Sequence, residues 1–473
     1  MEENKLAKNL VYDIHDKPKF GKMLIFAFQQ VLAILAATIL VPTIISSGTN
    51  VEMSQSAALF GAGVGTLIYQ LFTKFRSPVF LGSSFAFIGS MLAAIGGAAS
   101  ASAGYAGIIL GAVFAGLVYV VIALIVKFVG VSWINKLMPT VVIGPTVALI
   151  GLSLAVNAVN DLTVGKVMVE TTTQVIKEGA IVDEPSLVSA CSPYVALACG
   201  LITMFAIFLF SVYGKKMAKL IPFVLGIGVG YIAASIFTVI GIATNNVALQ
   251  VINFSAFANM EIFAVPEFSF LQAIKGVREI DASFVATVAV AYVPVAFVVF
   301  AEHIADHKNL STIIEKDLLE DPGLHRTLLG DGVGSMAGAF FGGCPNTTYG
   351  ESVGCVAITK NASVITITTT AIMCMVISFF GPFVTFLSSI PNCVMGGVCI
   401  ALYGFIAVSG LKMIQKVDLS DDRNLFVVSA ILIPGIGGLT VSFGKVTITT
   451  IACALILGIV ANILLNKFKK KAK

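Results

Sequence analysis

Long apolar stretches recur from one end of this chain to the other, and charge is confined to the segments between them. A helix needs roughly 20 apolar residues to cross the hydrocarbon core of a bilayer. By that measure the sequence predicts spans at about 23–46, 57–73, 79–98, 105–129, 137–157, 193–213, 219–241, 282–304, 327–343, 345–358, 361–386, 391–411, 424–440 and 446–466. Only 11% of the residues are charged, against about 25% in soluble proteins, so the chain reads as an all-α polytopic membrane protein with no attached globular domain. The net charge of +4 comes from loops and tails and points to no nucleic-acid partner. Eight cysteines form no CxxC pair, so neither a disulfide framework nor a metal knuckle is suggested. The charged segment 1–22 is too long for a signal-peptide n-region, and the apolar run after it reads as a retained first span.

Charge placement tests the count. With the N-terminus inside and the sides alternating, 24 of the 29 Lys and Arg residues fall on the cytoplasmic side, leaving Lys166, Lys177, Lys275, Arg278 and Lys445 outside. A missed span would scramble that bias beyond the error. The expectation is fourteen segments with both termini cytoplasmic. Three pieces of the first half recur in order in the second. "LFGAGVGTLIYQLF" (59–72) matches "LLGDGVGSMAGAFF" (328–341), "SSFAF" (83–87) resembles "TTYGE" (347–351), and "MPTVVIG" (138–144) resembles "IPNCVMG" (390–396). Two halves of seven segments each must be inverted relative to one another, which is a mark of secondary transporters. Packing by small residues would account for the likeness of the first pair alone, but not for the preserved order.

The third and tenth segments open on polar, non-helical stretches, "GSSFAF" and "CPNTTYGE". Irregular backbone at membrane depth is tolerated only where it is buried in protein or lines a cavity. Pro345 blocks a helix, and Thr347, Thr348 and Tyr349 favour extended backbone. The two pieces are expected to pair as short antiparallel strands, each followed by a helix. The competing reading makes 344–351 an outside loop. Carboxylates within spans are functional candidates by default: here Glu351, Glu302, and Asp306 one turn beyond Glu302. Hydropathy alone puts Glu302 near a cytoplasmic span end, where it could be merely a solvated charge. His303, Asp306 and His307 share a helix face, but no further ligand lies in a neighbouring motif, and no metal is expected. No selectivity-filter sequence suggests a channel, and no nucleophile–base pair suggests an enzyme. Segments 158–192 and 308–326 read as loops without an assigned role.

At "LGSSFAFI", at "AEHI" followed by "EKDLLEDPGLHR", and at "PNTTYGESVGCVAITK", the chain resembles the nucleobase–cation symporter family, which includes the nucleobase–ascorbate transporters, and within it the uracil permeases. The likeness runs along essentially the whole chain. It implies two inverted sevens with paired strands in segments three and ten. It also implies a core domain at 23–130 and 282–388, a gate domain at 131–241 and 389–466, and cytoplasmic ends at 1–22 and 467–473. The implied activity is import of uracil with protons by alternating access in a bacterial inner or plasma membrane. No cofactor is implied beyond the coupling proton, and a homodimer is. A purine or xanthine–proton symporter of the same family is the alternative. Glu302 and Glu351 match the carboxylates that bind the base edge, Gly350 a backbone contact, Phe85 a stacking aromatic and Ala37 a small pocket residue. Tyr349, beside Gly350, is grouped with them as substrate-binding. This resemblance takes Glu302 out of the solvated-end reading. Proton coupling is expected at Glu302, Asp306 and Glu351. Three positions depart from the family pattern. Gln29-Gln30 stands where Gln-His is common, Asp306 where some uracil permeases carry His, and Ser352 where the signature has Asn.

Overall fold

The computed structural model describes residues 10–49, 51–130, 139–177, 180–215, 217–258, 260–443 and 446–469. Met138 of the repeat, and Lys5, Lys8, Lys136, Lys216, Lys445, Lys470, Lys471 and Lys473 of the charge count, lie outside these residues.

Helices α1 (Phe20–Gly48) and α2 (Gln55–Phe72), strand β1 (Leu81–Ser83), and helices α3 (Ile88–Gly96) and α4 (Ala101–Val129) open the chain. Next come α5 (Thr140–Ser153), α6 (Ala155–Asp161), strands β2 (Met168–Lys177) and β3 (Ala180–Ser189), and helices α7 (Pro193–Tyr213), α8 (Met217–Leu220) and α9 (Pro222–Ala243). The short α10 (Ser269–Ala273) precedes α11 (Ala282–Ile314), α12 (Leu324–Gly342), strand β4 (Asn346–Thr348), α13 (Gly350–Thr359) and α14 (Val364–Ile377). The rest is α15 (Gly381–Ser389), α16 (Asn392–Ile414), α17 (Asp422–Ile436), strands β5 (Val441–Phe443) and β6 (Val446–Ile448), and α18 (Thr450–Lys469). Among the described residues, eight helical stretches are long and apolar enough to cross a membrane: α1, α4, α5 with α6, α7, α9, α11, α16 and α18. The chain is a mostly helical, multi-pass membrane protein.

Three sequence expectations change. The stretch 158–192 is not a plain loop, because β2 and β3 form an antiparallel hairpin from Met168–Ser189 to Lys177–Ala180. It is rich in Val, Ile and Thr, which favour strand. Helix α11 does not stop at residue 304 but continues to Ile314, since His307, Leu310 and Ile314 keep a buried stripe at helical spacing. The span drawn over 361–386 is two helices, α14 and α15.

The chain divides into two compact units. One holds the described residues up to Ser153, Ala264–Phe380 and the residues from Tyr403 on; the other holds Leu154–Phe263 and Gly381–Leu402. In the second, α7 and α9 pack closely: a Cβ on Gly230 would overlap the Thr203 hydroxyl, and one on Gly226 would overlap Ile207.

In the first unit, the two glycine-rich helices matched in sequence, α2 and α12, lie against each other. A Cβ on Gly61 would come within 2.6 Å of the Gly338 carbonyl oxygen, and one on Gly65 within 2.8 Å of that of Gly334. Only hydrogen at these positions lets the backbones approach so closely. Side-chain caps start the neighbouring helices: Ser54 accepts from the Ala57 amide, Ser100 from Ala103 and Asp281 from Phe284. The segment before α1 is tied to the start of α14. The amides of Ala362 and Val364 donate to the carbonyls of Tyr12 and Ile14 at 2.9 and 3.0 Å. Ile14 is buried among Tyr69, Leu310, Ile314, Val353 and Val364. Beside it, Lys316 Nζ lies 2.6 Å from Asp13 Oδ2. Partial burial pushes the Asp13 carboxyl up, but the Lys316 hydrogen bond and the Ile14 amide outweigh it and hold it below the usual carboxylate range.

Candidate substrate site

The site is built around a ladder of three residue pairs. Strands β1 and β4 run antiparallel, with Leu81 opposite Thr348, Gly82 opposite Thr347 and Ser83 opposite Asn346. All six residues are buried. The ladder is extended at its ends, where Ser84 N donates to the Pro345 carbonyl at 2.9 Å and Tyr349 N to that of Phe80 at 3.2 Å. A short extended segment inside a helical bundle leaves outer-edge amides to satisfy, and a side chain of α2 meets that need at Leu81, while β4 is itself tied to α2 through Asn346. Thr66 Oγ1 accepts from Leu81 N at 2.9 Å, and Asn346 Nδ2 donates to the Gly61 carbonyl at 3.0 Å. Gly82 leaves room for the Tyr349 ring, which a Cβ there would overlap. Tyr349 OH donates to the Ser83 carbonyl at 2.8 Å, so a buried tyrosine staples one strand to the other.

Each strand feeds a helix. After β1 a short 3-10 turn, Phe85–Phe87, leads into α3. After β4, α13 starts at Gly350 with Glu351 in its first turn. Helix α11 packs against β4 and α13, and Thr348 Oγ1 donates to Asp306 Oδ2 at 2.8 Å. A Cβ on the exposed Gly350 would sit 3.9 Å from Asp306 Oδ1, so this carboxylate stands at the helix start that carries Glu351.

Helix α11 has two chemically different faces. Glu302 is exposed and Asp306 half-buried, twelve residues and eight residues before the helix ends at Ile314. The carboxylates therefore lie well inside the helix rather than at its frayed end. His303 and His307 are completely buried on the other face. His303 Nδ1 is 2.7 Å from Asp331 Oδ2, and its Nε2 is 2.9 Å from Thr327 Oγ1. His307 Nδ1 bonds the His303 carbonyl at 2.8 Å, and its Nε2 bonds Tyr69 OH at 2.7 Å, which in turn meets Ser77 Oγ at 2.7 Å. The two rings stack with centroids 4.0 Å apart. Both imidazoles are thus engaged by the protein. Among the described residues no group of three His, Cys, Asp or Glu side chains is arranged to hold a metal.

The structure brings Asp306, Gly350, Glu351 and Tyr349 together at the β4–α13 junction. Phe85 is half-buried, its ring edge-on to Tyr403 at 6.3 Å. Ala37 is buried within α1. Two of the three departures from the family pattern meet. Gln30 Nε2 donates to Ser352 Oγ, and both residues are buried, so the exchanged pair bonds directly across from α1 to α13. Sequence reading missed Asp331 altogether. The available signal was a carboxylate in the glycine-rich helix of the repeat, where an ionisable residue demands a partner.

The family model described as "Permease family" matches residues 21–444. The uracil permease of Bacillus subtilis (strain 168) is 35% identical over 468 residues, covering 98% of this chain and 97% of that protein. The uracil permease of Escherichia coli (strain K12) is 30% identical over 448 residues, covering 94% and 92%. Among solved structures, the transmembrane domain of a cyanobacterial bicarbonate transporter, BicA, superposes with a TM-score of 0.59 at 15% identity, covering 95% of this chain and all of that one. A murine Solute Carrier 26 anion transporter in the inward-facing state superposes at 0.62 and 11% identity, covering 96% and 69%. At those identities the two structures speak for the fold alone.

Proposed function

The chain belongs to the permease family, among the uracil permeases of the nucleobase–ascorbate group, and from that premise we propose that it imports uracil with protons by alternating access across a bacterial cell membrane. Members of this group are permeases rather than enzymes. The observation that carries the reading is the junction of β4, α13 and α11, where Asp306, Gly350 and Glu351 meet one helical turn from Glu302.

Uracil presents two N–H donors and two C=O acceptors on a flat ring. In the proposed complex Glu302 and Glu351 accept from the ring N–H groups, and the Gly350 amide donates to a carbonyl. Phe85 covers one ring face. Ala37 and Tyr349 bound the pocket, with Tyr349 acting through the strand it staples. A site built on such bonds rejects bases that leave its polar groups unpaired. Asp306, beside Glu302 and Glu351, completes a set of three carboxylates. Protonating one of them on the outside removes a charge before the loaded site moves, and release inside resets it.

The proposal extends to fourteen segments in two inverted sevens. The glycine contacts of α2 with α12 and the β1–β4 ladder support it, because each joins matched pieces of the two halves. Segments 1–4 and 8–11 form its core and the others its gate, with both termini cytoplasmic and the gates pairing two copies.

Purified protein in liposomes should take up labelled uracil faster when the outside is more acidic than the inside. An unchanged initial rate under an imposed proton gradient removes proton coupling. Competition by unlabelled thymine, xanthine and guanine tests the base: displacement of uracil by xanthine at equal concentration favours the purine reading.

A further inference from the structure

The hydrogens around Asp331 and His303 can be counted. The Thr327 hydroxyl owns one hydrogen. It lies 3.0 Å from the Leu324 carbonyl, which can only accept, and 2.9 Å from His303 Nε2. With its hydrogen on the carbonyl, Thr327 bonds His303 only if Nε2 carries a hydrogen and donates it. The 2.7 Å contact between His303 Nδ1 and Asp331 Oδ2 then closes in two ways. A protonated Asp331 donates to a bare Nδ1, or an imidazolium donates to a carboxylate. Both contain one proton more than an ionised carboxylate beside a neutral imidazole, and both leave the pair with no net charge.

The surroundings favour the same count. Both side chains are wholly buried, and among the described residues Asp331 Oδ1 has no hydrogen-bond partner. The Tyr119 ring stands edge-on to His303 at 6.4 Å, and its hydroxyl too has no partner among the described residues. Were Thr327 to turn its hydrogen to Nε2 instead, a lone negative charge with one bare oxygen would remain in the core. Two more carboxylates, Glu302 and Asp306, stand on the helix beside it. An unpaired buried charge is strongly destabilising, whereas a neutral pair is not.

His307 supplies an internal contrast. Its Nδ1 faces the His303 main-chain oxygen, so Nδ1 carries the hydrogen. Its Nε2 then accepts from Tyr69, and Ser77 donates to the Tyr69 oxygen. Two stacked neighbours on one helix therefore differ at Nε2: protonated in His303, bare in His307.

We infer that Asp331 and His303 form a proton-binding site of their own, holding one shared proton in the helical core and separate from Glu302, Asp306 and Glu351. This stands whatever the cargo is. It leaves coupling to the carboxylates on the other face and gives α11 a neutral, fixed back.

The test is nitrogen-15 solid-state NMR of the full-length chain, labelled at histidine and reconstituted in lipid at neutral pH. There are four histidines. His15 is exposed and His325 half-buried, and His15→Gln and His325→Gln identify their signals without touching the core. The remaining two rings should differ, one with an N–H-type Nε2 and the other with an imine-type Nε2. His303→Gln should remove the first. Either position of the shared proton leaves Nε2 protonated, so the readout does not depend on it. Two buried rings that both show a bare Nε2 overturn the site. If His303→Gln does not fold, the wild-type spectrum after subtraction of His15 and His325 still decides.

Discussion

Within six residues of one helix, α11 offers two faces built from the same kind of chemistry and used in opposite ways. Glu302 and Asp306 have surface left over. His303 and His307 have none, and each of their ring nitrogens meets a protein partner. An ionisable group inside a membrane helix is a functional candidate by default, but the comparison sharpens that rule. What separates the faces is whether the protein itself fills the hydrogen-bonding capacity of the group. A filled group fixes the helix, while an unfilled one keeps hydrogen-bonding capacity to offer.

The largest break should come from the closed face. His303→Leu leaves Asp331 buried without the imidazole that shares its proton. Removing one partner of a buried ionisable pair costs about 3–5 kcal/mol, so the variant should accumulate poorly and melt well below wild type in detergent. Melting that matches wild type would mean this face does not fix the helix. On the open face the effect moves from stability to binding. Glu302→Gln should fold normally yet lose about 1.5–3 kcal/mol of uracil binding, roughly ten- to a hundredfold. Isothermal titration should show that loss with the melting temperature of the unliganded protein unchanged; retained affinity would remove Glu302 from the site. A smaller effect is expected at the ring face. Phe85→Ala should weaken binding of every planar base by about 1 kcal/mol or somewhat more, without changing their order, because stacking on an aromatic is tolerant of ring identity. A change of order among bases would make Phe85 a selector instead.

The same comparison shows what sequence can reveal. Apolar length placed the helices, since burying or solvating that much hydrocarbon leaves few options. Pro345 and the Thr-Thr-Tyr run marked the stretch that became β4, and the glycine motifs of α2 and α12 foretold close packing. Glu302 and Asp306 of the open face, and Glu351 of α13, stood out as candidates because they interrupt apolar surroundings and match a known pattern. The closed face did not. His303 and His307 gain their meaning from Asp331, Thr327 and Tyr69, which are distant in sequence and on other helices. The end of α11 was misjudged for a related reason. Lys308 and Asn309 read as the onset of a loop, yet they are exposed positions on a helix whose other side stays buried.

Asp13 and Lys316 provide a control that belongs to neither face, and the smallest expected effect. The carboxyl is held below the usual range in the folded protein. Its contribution is therefore present above the unfolded value, roughly pH 4, and disappears as the pH falls through the lower folded value. Both side chains are substantially exposed, so the pair should be worth no more than about 0.5–1 kcal/mol, less in high salt. Asp13→Asn should lower the melting temperature slightly at neutral pH, and its difference from wild type should shrink on acidification toward pH ~3. A difference that grows in acid would carry the wrong sign for a salt bridge. Uracil affinity should not move, because the pair ties the segment before α1 to the loop after α11 and reaches none of the three carboxylates. A shift in affinity would show that the end of α11 transmits strain to its open face, and the separation of the two faces would then have to be redrawn along the helix as well as around it.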